Sequence, residues 1–203
     1  MGVATLNNIL NLLSQRESSD IVFNQYQDKD ILNNLRLYFE YLLDEKPGTL
    51  FIAEAPGYKG CRISGIPFSS SQLIKTSNHK IFKKLRDKIV LKEIISEKTA
   101  TIFWNSINVK YAPFLWNAFP FHPHEKDNQN SNRKPSKSEV EEGKKYVLDL
   151  IDLFKPKKIC ALGRVGELTL NEIFPDKEIF YIKHPSYGGK KDFIKGMKFA
   201  TTN

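Results

Sequence analysis

Cysteine is scarce in this chain: there are two among 203 residues, Cys61 and Cys160, far apart and neither in a CxxC pair. That excludes a disulfide framework as a source of stability and makes a reducing cytoplasm the expected setting. Long apolar runs are missing too. None approaches the roughly 20 residues a helix needs to cross a bilayer. The first residues also lack a basic segment followed by an apolar stretch and a cleavage site. Neither a membrane partner nor a secretory leader is expected, and there is no internal repeat or low-complexity segment. What is present suits one folded domain: 40% hydrophobic residues, a mean hydropathy of −0.41 and enough length for a sizeable core. Lys and Arg exceed Asp and Glu by 31 to 23, a net charge of +8, with a pI near 9.3. Such a surplus fits a polyanionic partner, because neutralising phosphates releases counterions. A merely lysine-rich protein would carry the same balance.

Hydrophobic spacing divides the chain into alternating elements. Leu6, Ile9, Leu10 and Leu13 make a helical stripe that the polar residues 17–20 break. Ile31, Leu35, Tyr38, Phe39 and Leu42 repeat at helical spacing behind Asp28 and Asp30, both suited to an N-cap. A Pro47-Gly48 turn leads into an apolar strand over 49–53. A helix is expected to open over 69–74, one or two surface helices over the lysine-rich 78–98, and another over 99–107. A second strand covers 112–119, and a long loop of Pro, His, Asn, Asp and Ser covers 120–135; loops of that length are often functional. Ser136 and Glu139 form a capping box ahead of a helix that Pro156 ends. Strands over 157–162 and 178–183 are each followed by a helix, over 164–174 and 192–199. Strands alternating with helices imply a parallel sheet covered on both faces. The expected fold is α/β, a three-layer α/β/α sandwich around a short, mainly parallel four-stranded sheet. One domain spans 1–203, with 1–45 a helical N-terminal extension packed on the core.

The stretch LFIAEAPGYKGCRISGIPFSSS, residues 50–71, carries the strongest chemical signal. A strand runs into Glu54, then into Pro56-Gly57, which force a turn. In open α/β sheets ligands gather beyond the carboxyl ends of the strands. Phe68, between Pro67 and three serines, offers a flat apolar surface on which a ring can stack. A carboxylate beside a stacking platform points to chemistry on a planar, ring-bearing substrate. Glu54 read blandly is a strand-end surface carboxylate, and Phe68 a core aromatic.

Ala53-Glu54-Ala55-Pro56-Gly57 followed by Gly65-x-Pro67-Phe68 resembles the first motif of the uracil-DNA glycosylase superfamily. Two more pieces match in order: Phe114-Leu115-Trp116-Asn117, a strand ending in Asn, and the late His184-Pro185-Ser186. Ser131-Asn132-Arg133-x-Pro135-Ser136-x-x-Glu139 and the segment from Pro156 to Arg164 resemble its connecting helix and third strand. The resemblance covers residues 48–198 and implies removal of a flipped base from DNA. The motif is closest to the superfamily's iron–sulfur branch, which needs four cysteine ligands; two cannot supply them, and neither a cluster nor another cofactor is expected.

By that resemblance Glu54 activates water, while Ala55 stands where many members carry aspartate. Gly60 leaves the loop without the second acid of the iron–sulfur branch. His184 donates to the base as negative charge builds, for which a neutral imidazole with one N–H is sufficient. Asn117 presents donors and an acceptor to a pyrimidine edge, and Phe68 stacks on the ring. Gly57 stands where the uracil-only branch has a tyrosine that blocks the C5 position, so Tyr58 or the 62–64 loop would have to close that space. Ser69, at a helix start, is suited to a phosphate, although serines there are ordinary caps. Gly163 and Arg164 match a phosphate-gripping loop, and Ser186, Tyr187 and Gly188 the loop that wedges into the duplex. His122 and His124 with Asp127 suggest a metal site, but no convincing further ligands follow; a DNA-facing or loop-packing role fits better.

The reading is a monomeric, monofunctional DNA glycosylase acting on uracil in single- or double-stranded DNA and leaving an abasic site. No lysine occupies a motif position suited to a Schiff base. Two alternatives stay open: the same chemistry on a C5-modified pyrimidine, in repair or anti-phage defence, and a non-catalytic DNA-binding module.

Overall fold

The computed structural model describes residues 2–185 and 189–201. In chain order the elements are α1 (Gly2–Gln15), β1 (Val22–Phe23), a 3-10 turn (Gln25–Gln27), α2 (Lys29–Glu45), β2 (Thr49–Ala53), α3 (Cys61–Ser64), α4 (Ser71–Thr76), α5 (Lys80–Leu85), α6 (Lys98–Trp104), β3 (Phe114–Asn117), β4 (His122–Pro123), α7 (Lys137–Phe154), β5 (Lys158–Leu162), α8 (Gly163–Ile173), β6 (Phe180–Ile182) and α9 (Lys190–Thr201). Four strands form one sheet in the order β3-β2-β5-β6, and every neighbouring pair is parallel. Helices flank the sheet, so the fold is the expected α/β sandwich.

Local chemistry sets the boundaries. The Asp28 carboxylate accepts from the Asp30 and Ile31 amides and starts α2; Ser136 and Glu139 close a full capping box on α7. β2 is buried along its whole length, as a central parallel strand covered on both faces must be. Leu6, Ile9, Leu10 and Leu13 of α1 enter the same apolar core as Tyr38, Phe39, Trp116 and Leu150. Gly166 of α8 allows close helix–strand approach. A Cβ there would lie 2.2 Å from the Ile52 carbonyl oxygen, so any side chain would push α8 off β2.

The lysine-rich stretch 78–98 holds one of the one or two helices expected, and a short one. Lys80–Leu85 is helical within it, and Lys98 begins α6; between them the backbone groups are taken by partners from elsewhere. The Asn34 amide accepts from the Val90 N–H at 2.9 Å and donates to the Val90 carbonyl at 2.8 Å. Ser71 Oγ accepts from the Ile95 N–H at 2.7 Å, and the Gln72 N–H donates to the Ile95 carbonyl at 3.1 Å. Side chains competing for the backbone unseat a helix in this way. The 120–135 loop is likewise not wholly irregular: His122–Pro123 pairs antiparallel with Val22–Phe23.

Candidate active site

The sheet order brings four strand ends together. β3 ends at Asn117, level with Ala53 of β2; β5 ends at Leu162, level with Ile182 of β6. Glu54 thus follows β2, Gly163 follows β5 and His184 follows β6 at one edge of the sheet, where parallel α/β folds place their ligands. The register continues beyond the strands. The Ala118 N–H donates to the Ala53 carbonyl at 2.8 Å and the Phe119 N–H to the Glu54 carbonyl at 3.1 Å, fixing Glu54 beside Asn117.

A cavity of about 530 Å³ opens there, within the range of small-molecule sites. Glu54, Ala55, Gly57, Phe68, Ser69, Asn117, Gly163, Arg164 and His184 all line it. Tyr58 does not line it; its ring lies under Lys59 Nζ, 5.3 Å away. Gly57 borders an open region, for a Cβ there would meet only Asn132 Oδ1, at 3.7 Å. Ser69 is on the wall, but it is buried and its hydroxyl donates to the Ile66 carbonyl and bonds Ser64 Oγ, both at 2.8 Å. Ser186, Tyr187 and Gly188 lie outside the described residues.

Glu54 reaches solvent through the cavity mouth. The protein behind it still strips away enough water to push its carboxyl above the ordinary range, against a smaller opposing pull from Lys134. His184 is half-buried; burial lowers its pKa and the Glu97 charge works the other way. Asn117 is 2% exposed, and its Nδ2 is buried without a hydrogen-bond partner. A buried donor of that kind is costly unless a ligand completes it. Burial pushes the Cys61 thiol up to about 12, so it stays a neutral wall group, not a nucleophile.

Phe68 is held in the left-handed region, φ 52°, which is uncommon for a bulky residue. Its surroundings over-determine it. The Trp104 indole N–H donates to the Phe68 carbonyl at 2.7 Å, and the Phe68 ring packs 5.4 Å from that of Phe103. Gly163 also needs its left-handed φ of 81°; a Cβ there would stand 3.4 Å from His184 Cβ. The turn places the start of α8, with its free N–H groups, at the cavity edge. Arg164 follows, exposed, its guanidinium 2.5 Å from Glu167.

Sequence reasoning assigned no role to Glu97, Asn132 or Arg133, which share this wall. Asn132 Oδ1 accepts from the Tyr58 N–H at 3.0 Å and ties the 120–135 loop to the turn after β2. Arg133 grips Glu139 with two bonds, of 2.9 and 2.7 Å, and anchors that loop to α7. The signal for Glu97 was an acid just ahead of the apolar Ala100, Phe103 and Trp104, an N-cap pattern hidden among lysines. His122 and His124 are both buried. The His122 ring nitrogens face the Pro56 carbonyl at 2.7 Å and the Gln129 carbonyl at 3.1 Å, which is loop packing and not a DNA-facing position. Among the described residues no cluster of three or more His, Cys, Asp or Glu is placed to hold a metal, and no helix is long and apolar enough to cross a membrane.

The fold matches the crystal structure of wild-type SMUG2 from Pedobacter heparinus with a TM-score of 0.68, covering 96% of this chain and 97% of that one at 15% identity. No curated protein matches the chain. A model of the uracil DNA glycosylase superfamily matches residues 40–199. With most of its length inside that match, this chain belongs to the uracil DNA glycosylase superfamily, a family of DNA glycosylases.

Proposed function

We propose that the cavity receives a uracil flipped out of DNA and that the protein hydrolyses its N-glycosidic bond, leaving an abasic site. The observation that carries this reading is Asn117: a buried amide with an unpartnered Nδ2, on the same wall as Phe68 and Glu54. A flipped pyrimidine stacked on Phe68 offers that amide a ring carbonyl. The reaction then needs a nucleophile and a place for charge. Glu54 orients a water on C1′ and takes its proton, while the sugar's cationic character is balanced by the same carboxylate. The C1′–N1 bond breaks with its electron pair leaving on the base, and His184 donates a hydrogen bond to the developing oxyanion. Among the described residues no lysine lines the cavity, so base release by water, without strand scission, is the chemistry that fits.

Arg164 and the amides at the start of α8 serve the DNA backbone in this reading, and the net positive charge draws the polyanion in. A second reading keeps the chemistry and changes the base. Gly57 leaves one side of the cavity open, which favours room for a C5 substituent. A panel of single-lesion oligonucleotides, incubated with the protein and then heated in alkali, tests both. Cleavage at uracil supports the first, cleavage only at C5-modified bases the second, and binding without cleavage a non-catalytic module.

A further inference from the structure

Large side chains avoid positive φ, yet Phe68 is held there, and one short helix grips it at two points. α6 opens on a cap in which the Glu97 carboxylate accepts from the Thr99 and Ala100 N–H groups, and it closes on Phe103 and Trp104. The Phe103 ring packs 5.4 Å from the Phe68 ring and 6.3 Å from that of Phe51 in β2, which ties the Phe68 ring to the sheet. The Trp104 indole N–H donates to the Phe68 carbonyl at 2.7 Å. Phe103 thus meets the side chain of Phe68 and Trp104 its backbone.

Trp104 has little freedom to follow Phe68 if the loop moves. It is 1% exposed, and its ring packs against those of Phe82, His79 and Phe103, with centroids 4.5, 4.8 and 5.6 Å away. Its own carbonyl accepts from His79 Nε2 at 2.8 Å. The core fixes this donor, and the loop must come to it. A non-glycine residue in the left-handed region stays there only where its surroundings impose it. A carbonyl bonded to an immobile donor does so. Turning φ to the negative side would swing the Phe68 Cβ, and the ring with it, to another side of the chain. It would also strand a buried indole N–H without an acceptor, which is costly. Trp104 itself does not line the cavity, so any effect it has on a bound base passes through Phe68, which does.

We propose that Trp104 is a positioning residue for base release: its indole N–H holds Phe68 in the left-handed conformation that presents the Phe68 ring to the cavity as a stacking face. The proposal rests on the reading of Phe68 as the platform for the flipped base. Trp104 touches no substrate in this account and acts only through the Phe68 backbone.

The test removes the N–H and keeps the ring. Trp104→Phe is the simple variant; benzothienylalanine placed at 104, which has the shape of tryptophan with sulfur in place of the N–H, serves if the first does not fold. 5-Fluorotryptophan at 104 keeps the donor and is expected to behave as wild type. The conformation is read by NMR from the three-bond coupling between the Phe68 Hα and the Pro67 carbonyl carbon, which is large only where φ is positive, with the signal assigned by its loss in Phe68→Leu. Without the N–H the coupling is expected to fall. Single-turnover release of uracil should slow by roughly three- to tenfold, the range one such hydrogen bond carries, and the same change made on Phe68→Leu should add nothing further. A folded variant that keeps either the coupling or the release rate of wild type overturns the proposal, and so does an equal further loss on Phe68→Leu, which would mark Trp104 as a general structural residue. Wild type that releases no base overturns the glycosylase reading instead, while the coupling still decides whether the indole holds Phe68.

Discussion

Asn117→Leu separates a recognition role from a structural one, because the two make opposite demands on stability. The Asn117 side chain is buried at the end of β3 with its Nδ2 donor unmatched in the protein. A buried, unsatisfied donor costs about 1–3 kcal/mol, and leucine, with the same branched shape but bulkier methyl groups, removes it. In a chain of this size each kcal/mol moves Tm by about 2–4 °C, so the variant is expected to melt about 2 °C or more above the wild type. Base recognition should move the other way. A site built to hydrogen-bond a substrate group loses far more discrimination than an apolar contact when that bond is removed. Single-turnover release of uracil should therefore fall by roughly a hundredfold or more, at the upper end of what one buried hydrogen bond supplies. Differential scanning calorimetry and quenched-flow base release give the two numbers on the same preparation. A variant that melts several degrees lower and still releases uracil at the wild-type rate would show Asn117 to be a structural residue and refute the argument.

Three further expectations follow from the same geometry. Glu54 must be ionised to orient water and its pKa is raised by burial, so activity is lost as pH falls through a value above the ordinary glutamate range; Lys134→Met removes the opposing pull and should move that acidic limb of the pH–rate profile higher. Gly57→Tyr has room to point its ring into the open side of the cavity, since only Asn132 Oδ1 is near; uracil release should survive while any action on C5-substituted pyrimidines disappears, as a paired-substrate assay would read. Binding to DNA should weaken steeply with salt, and Arg164→Ala should lower the log–log slope by about 0.9 for one lost phosphate contact without changing which base is chosen; an unchanged slope removes Arg164 from the DNA surface.

The parallel sheet was legible because its signals are local and agree. Residues 49–53 form an apolar run between a Pro-Gly turn and a carboxylate, and Ser136 and Glu139 announce α7 by a capping box that the structure contains. Elements whose ends depend on distant partners were not legible. Nothing near Val90 or Ile95 indicates that Asn34 and Ser71 will take their backbone groups and leave the lysine-rich stretch mostly without helix. The candidate site divides in the same way. Glu54, Asn117 and His184 stand at or just past strand ends, and topology brings strand ends together, while Phe68 lies in the loop between α3 and α4. Glu97 and Asn132 reach the cavity from segments outside the four-stranded sheet, and Tyr58, two residues from the wall-lining Pro56, points elsewhere. Whether a loop residue faces the cavity is decided by the dihedral angles of the chain there, such as the positive φ at Phe68 between α3 and α4, and the residue order does not display those.

The most direct test of the central claim is single-turnover release of uracil from one-lesion DNA by wild type and by Glu54→Gln, with binding measured alongside. The account predicts an alkali-labile site at uracil with wild type, a loss of roughly a hundredfold or more in the variant, and equal affinity for the DNA. No release from any uracil substrate, or release by Glu54→Gln at the wild-type rate, would contradict it.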